Sequence, residues 1–290
     1  MSATDIVNAP SVVRCTPQQA AKTYAYLEQF VDFDRNPRAT LSVVFARSCL
    51  ATHPDFGLDL QATAREASEV ARRTLAHPDH ARLDLDPLLL VTMFGAFIDA
   101  GCDLPPLRDL ASQAARELAP LDAKTRSLGR VRLIASVLAA QGFEVAVASR
   151  PGEVSASVAE PSSLLNASSA VLGDVADHLL ADGRVLDPDL TTMLALTALG
   201  ELRNYRIDLG AKLLRLVVSH GVPRVEAEEG LNFVALQRRR NGAYGFLNPF
   251  AAEEERQDLD NGFFIPMTLN AAWLLRVEAA SRVRARAATG

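Results

Sequence analysis

The sequence predicts an all-α fold built from helical hairpins, on three observations. Helix starts recur as a polar cap followed by proline, at Thr16-Pro17, Asn36-Pro37, Asp86-Pro87 and Asp187-Pro188, with the order reversed at Pro161-Ser162. Gly57, Gly101, Gly142, Gly183 and Gly221 fall just after apolar periodic stretches, where helices stop. Between these marks, stretches with one apolar face alternate with stretches that are apolar on every side.

The first helix opens at Thr16-Pro17-Gln18-Gln19, which supplies an N-cap, a proline at the first helical position and a capping-box glutamine. It is expected over 17–33. Helices follow at 37–52, 60–76, 87–100, 105–118, 123–141, 162–181, 188–203, 206–220, 224–240 and 266–285, with a short extra one at 250–257. In 60–76, Ala64, Ala67, Val70 and Ala71 oppose Arg65, Glu66, Glu69, Arg72 and Arg73. In 107–118, Leu107, Leu110, Ala111, Ala114 and Leu118 oppose Arg108, Asp109, Gln113, Arg116 and Glu117. Segment 164–180 behaves alike, carried by Leu165, Leu172, Val175 and Leu179. These read as outer helices with one buried side. Segments 88–98, 131–140 and 190–199 are apolar nearly all round and read as inner helices.

The same alternation organises the whole chain. Leu-Asp-Pro starts at 85–87 and 186–188 repeat after about two hairpins. Eleven or twelve helices make five or six hairpins, which suits a closed α/α toroid of about six with inner and outer layers; an open α-hairpin solenoid is the alternative. The reading is one all-α domain over 1–290. Within it, 1–15 is a flexible arm, 142–160 a flexible insertion around one strand-like stretch (143–148) and 241–265 a lid-like loop.

Composition narrows the partners. With 49% hydrophobic and 22% charged residues the chain is globular rather than disordered. A net charge of −5 leaves no basic footprint for nucleic acid. No apolar run approaches the roughly 20 residues of a membrane span. The start of the chain lacks the basic-then-apolar order of a secretory signal. Cys15, Cys49 and Cys102 stand in no motif spacing, which points to a reducing, cytoplasmic setting. Only Lys22, Lys124 and Lys212 are lysines, against 27 arginines. That ratio points to a GC-rich bacterial genome.

Residues 230–246 read GLNFVALQRRRNGAYGF. The order Gly230, Phe233, Val234, Gln237, Asn241-Gly242-Ala243-Tyr244-Gly245 resembles the glutamine–aromatic repeat of terpene cyclases and the related prenyltransferase and complement-type toroids. In that family a helix ends on Gln and a D-G-S-W-G turn follows. Here Asn241 stands for Asp, Ala243 for Ser and Tyr244 for Trp. Asp260-Asn261-Gly262-Phe263-Phe264, followed by 266–275, is similar to a second, degenerate copy. The resemblance implies a ring whose hairpins are stapled by Tyr244 and whose site lies in the middle. The chemistry of the family is not carried with it. The nearest text to its D-x-D-D acid cluster is Asp258-Leu259-Asp260-Asn261, and no cysteine is followed by histidine, as a zinc-dependent member would require. No metal and no cofactor are expected.

The richest segment for function is 237–273. Asp260, Asp258 and Tyr244 are the candidate acid/base groups, with Asn270, Trp273, Asn232, Glu228 and Phe263 as candidate ligand contacts. His77-Pro78-Asp79-His80 reads as a solvated loop rather than a metal pair. His53, His178 and His220 sit at helix ends, where a cation suits the carbonyls, and Arg238-Arg239-Arg240 reads as a solvated helix end rather than an anion clamp. The expected function is binding of an apolar or peptidyl small molecule in the ring's central cavity, in bacterial specialised metabolism, with metal-free acid/base chemistry if it is an enzyme. The alternative is a non-catalytic module that holds a protein or peptide. A deep polar cavity favours the first, and a filled centre with a large apolar patch favours the second.

Overall fold

The computed structural model describes residues 15–83, 85–118, 128–143, 145, 167–183, 186–220, 225–245 and 263–289. Among them lie eleven α-helices and no strand. In chain order they are α1 (Pro17–Glu28), α2 (Pro37–Ala51), α3 (Leu60–Ala76), α4 (Pro87–Asp99), α5 (Pro105–Leu118), α6 (Leu128–Ala140), α7 (Ser169–Asp182), α8 (Pro188–Arg203), α9 (Ile207–Ser219), α10 (Val225–Leu236) and α11 (Ile265–Thr289). None of these helices is long and apolar enough to cross a membrane.

The starts follow the cap chemistry. Thr16 Oγ1 accepts the Gln19 N–H while Gln19 Oε1 accepts the Thr16 N–H, a complete capping box. Asn36, Asp86 and Asp187 cap α2, α4 and α8 through their side chains, each with proline in the first turn. Several ends fall short of expectation. α1 stops at Glu28 rather than 33, and α10 stops at Leu236 rather than 240, because the Arg239 N–H turns to the Ala243 carbonyl. α7 begins at Ser169, where the Ser168 hydroxyl accepts the Val171 N–H. The expected strand at 143–148 lies mostly outside the described residues. Its first residue serves α6 instead: the Phe143 N–H closes on the Leu138 carbonyl past a left-handed Gly142. The Pro161-Ser162 start and the helix at 250–257 also lie outside.

Helices pack as hairpins. α2 touches α1, α3, α4 and α11, and contacts then run from α4 to α6, α7, α9 and α11, which returns to α2. α3 and α5 lie against this circuit on one side, α8 and α10 on the other. One inner assignment is corrected. α8 is not buried all round, since Leu196 is 53% exposed and the Thr192 and Thr197 hydroxyls bond back to the Pro188 and Met193 carbonyls of their own helix. The buried place belongs to α9, where Ala211, Leu213, Leu214, Leu216 and Val217 are fully enclosed. Asp208, Lys212 and Arg215 give α9 the look of a surface helix, yet their charges meet partners on neighbouring helices.

The core has two main clusters. One gathers α1 to α6, and the other gathers α7 to α10. α11 serves both, sending Phe264, Ile265 and Ala272 into the first and Met267, Ala271 and Leu274 into the second. That double duty explains why its first half is apolar on more than one face.

Candidate functional site

Residues 237–245, directly after α10, set up the site. Residues 237–245 fold into a tight turn rather than the beginning of a loose lid. The Gly245 N–H donates to the Gln237 carbonyl, the Gly242 N–H to Arg239, and the Ala243 N–H to Asn241 Oδ1. Gly242 has φ +98°, and a Cβ there would lie 2.3 Å from the Lys22 carbonyl oxygen, so only glycine lets the turn seat on α1. Thr23 Oγ1 donates to the Gly242 carbonyl at 2.8 Å. On the other side the Tyr244 N–H donates to Thr268 Oγ1 at 3.0 Å, on α11. The turn therefore pins α10, α1 and α11 together. The remainder of the expected lid, 246–262, lies outside the described residues.

Below this turn is a cavity of about 140 Å³. Its wall is Leu231, Val234 and Ala235 from α10 and Ala271, Leu274 and Leu275 from α11. Cys15 and Tyr244 line it too, as do His53, Asp55, Phe56, Glu278 and Arg282. The Tyr244 hydroxyl reaches Cys15 Sγ at 3.9 Å, a weak contact. Arg282 pairs with Glu278 at 3.1 Å and with Asp55 at 3.8 Å.

Burial sets the charge state of the cavity. It pushes the Cys15 thiol up, with Tyr244 and Arg238 pulling the other way. It pushes the Tyr244 phenol up as well, and the neighbouring Cys15 adds to this. His53 is pulled down to about 4 by burial, against the carboxylate of Asp55. Its ring stacks on Phe56 at 3.7 Å, and its Nδ1 accepts the Asp55 N–H. All three groups are neutral at pH 7. The expectation of a cationic His53 at a helix end is thus overturned, because the ring is buried. His178 fails likewise: it is buried on α7 with neither ring nitrogen bonded, and its pKa is lowered by that burial.

A second polar group lies deeper, between α9, α11 and α2. The Arg215 guanidinium is buried, donates to Asn270 Oδ1 at 2.9 Å and stacks on Trp273 at 3.9 Å. Asn270 Nδ2 donates to Asp208 and to the Pro266 carbonyl. Trp273 meets Phe45 of α2 edge-on at 5.0 Å. Burial lowers Arg215 to about 10, and nearby Arg130 adds to the fall while Asp177 and Asp208 oppose it, so the side chain stays charged at neutral pH. Beside it Lys212 pairs with Asp177 at 2.9 Å. A further cavity of about 200 Å³ lies among α3, α4 and α5. There Gln113 donates to Glu117 at 2.9 Å and His80 bonds the His77 carbonyl.

Of the six described candidate residues, the 140 Å³ cavity receives Tyr244 alone. Asn270 and Trp273 belong to the Arg215 cluster. Asn232 and Glu228 are half-buried on α10, whose cavity face carries Leu231, Val234 and Ala235 instead. Phe263 packs edge-on against Phe264 at 5.4 Å. Asp258 and Asp260 lie outside the described residues. The arginine run is not a solvated helix end: Arg239 covers the Phe264 ring at 4.6 Å, Arg238 reaches Tyr244 and Cys15, and only Arg240 is exposed. Sequence reasoning missed Cys15, His53 and Arg238. The one signal for Arg238 was its place between a glutamine-ended helix and an Asn-Gly turn, where a helix cannot continue. No family model, curated protein or solved structure matches the chain.

Proposed function

We propose that this chain binds a small, largely apolar molecule in the cavity between α10, α11 and the turn that follows α2, in the small-molecule metabolism of a GC-rich bacterium. The observation that carries the reading is the cavity itself: about 140 Å³ with an aliphatic wall, and with Tyr244 and Cys15 in its lining. Drug-sized ligands need roughly 300 Å³ or more, whereas an apolar cavity of about 150 Å³ holds benzene. The ligand is therefore of roughly six to eight non-hydrogen atoms. Binding is favoured over catalysis by the protonation states. General acid–base work wants a group poised near pH 7, and burial moves Cys15, Tyr244 and His53 away from it. Among the described residues, exposed large apolar side chains occur one to a helix on α4, α7, α8 and α11, two on α10 and one, Tyr205, between α8 and α9, a scatter rather than the broad patch an interaction module needs.

The return of α11 to α2 supports a closed α/α toroid over an open solenoid. In that ring, the 237–245 turn does what its resemblance to the glutamine–aromatic repeat implies. The binding reading is tested by calorimetric titration of 1-pentanol into the wild type and into Ala235→Phe, which places a ring in the cavity. Saturable one-site binding that weakens at least about tenfold in the variant, with its melting temperature maintained, is the expected result. No saturable binding to the wild type, or equal affinity in the two proteins, contradicts it.

A further inference from the structure

The polar part of the cavity lining selects among small molecules, since its α10 and α11 walls are aliphatic and offer only van der Waals contact. The charged members of the lining are Asp55, Glu278 and Arg282, and the guanidinium is already shared by both carboxylates, at 3.8 and 3.1 Å. The Asp55 side chain is 65% exposed, so solvent screens its charge. An anion entering here meets two carboxylates. A cation meets carboxylates already committed to Arg282, and either one loses its hydration against an aliphatic wall. The ligand that fits is neutral.

The other polar members are Cys15, His53 and Tyr244, all neutral at pH 7, and they are donors. Tyr244 interacts with Cys15 and with Arg238, which lies outside the lining. A guanidinium has no acceptor atom, so among the described residues the phenol's proton goes to Cys15 Sγ at 3.9 Å, a weak acceptor. A stronger acceptor entering the cavity takes that proton at little loss. His53 Nδ1 accepts the Asp55 N–H, which leaves the proton of the neutral ring on Nε2, again a donor. The Cys15 thiol, held protonated by burial, is a third and weaker one.

We propose that the cavity takes a short neutral carbonyl compound, its oxygen accepting the Tyr244 hydroxyl and its chain against the aliphatic faces of α10 and α11. This rests on the reading of the cavity as a ligand site. A carbonyl oxygen accepts without bringing a proton of its own. An alcohol must also place one, and the side-chain acceptors of the lining are a sulfur and two carboxylates engaged with Arg282.

The test is calorimetric titration of 2-pentanone, 1-chloropentane and pentylamine into the full chain at pH 7, repeated on Tyr244→Phe with folding checked by thermal melt. The ketone and the chloroalkane have the same number of non-hydrogen atoms, but only the ketone is a strong acceptor. Tyr244→Phe is expected to weaken 2-pentanone at least about fivefold, the worth of one hydrogen bond, and to leave 1-chloropentane within about twofold. In the wild type, pentylamine is expected to bind more weakly than 2-pentanone. Infrared spectroscopy supplies a readout that needs no variant: the carbonyl stretching band of 2-pentanone bound to the wild type is expected at lower frequency than in hexane. Equal effects of Tyr244→Phe on the two neutral probes, an unshifted band, or binding of 1-chloropentane or pentylamine without binding of the ketone overturns the carbonyl proposal and leaves the cavity reading standing. Pentylamine binding more tightly than the ketone does the same. Failure of all three probes to bind overturns both.

Discussion

Asn270 is the residue whose two hydrogen-bonding roles are hardest to replace. Its carbonyl accepts from the buried Arg215 while its amide donates to Asp208 and to the Pro266 carbonyl. Asn270→Ala therefore strands a buried cation, a loss of about 3 kcal/mol, read as a shift of the urea unfolding midpoint. Tyr244 separates packing from polarity. It is 1% exposed, so Tyr244→Ala is expected to cost about 3–5 kcal/mol. Tyr244→Phe keeps the ring and loses the hydroxyl's contacts to Cys15 and Arg238, so its loss is expected to be about 1 kcal/mol or less, well short of the alanine variant. An unchanged melt for the alanine variant would remove the stapling role.

His53 supplies a pH dependence. The folded ring takes a proton only near pH 4, while the unfolded side chain takes one near its ordinary 6.5. Between those values the unfolded chain binds more protons, so stability rises with pH there. It is complete above about 6.5 and is lost as pH falls toward 4. His178 shifts in the same direction. A plot of melting temperature against pH is expected to fall less steeply across this window for His53→Gln than for wild type. Parallel curves would contradict the buried neutral ring.

At the scale of elements, local chemistry was legible and burial was not always so. The caps at Thr16, Asn36, Asp86 and Asp187 stand where cap-plus-proline text places them, because a cap involves only three or four consecutive residues. The exchange of roles between α8 and α9 could not be read from one sequence. Thr192 and Thr197 bond to their own helix and tolerate solvent, whereas Arg215 is buried and Lys212 half-buried only because Asn270 and Asp177 arrive from other helices. Candidate-site residues divide the same way. Tyr244 announced itself within a local motif. Cys15 and His53 join the same cavity from segments some 230 and 190 positions away, and nothing in their own neighbourhood signals the meeting. The 237–245 turn yields a direct prediction: Gly242→Ala combines a disfavoured φ with a collision against the Lys22 carbonyl. A loss of about 2 kcal/mol or more is expected, measured by chemical denaturation. A neutral effect would mean the turn does not seat on α1.

For the whole molecule, α11 joins the two halves of the core and closes the circuit of helices on α2. The cavity lies along this helix, next to the face that carries the Asn270 contact to Arg215 of α9. Closure and site are thus linked, since the turn that pins α11 to α1 and α10 also delivers Tyr244 to the cavity. The most direct measurement is a crystal structure of the full chain grown with 1-pentanol. It is expected to show the alcohol in the cavity with its chain between Ala235 and Leu274, inside a closed circuit of helices. A structure in which side chains fill that space, or in which the alcohol lies elsewhere while the cavity holds only water, contradicts the account.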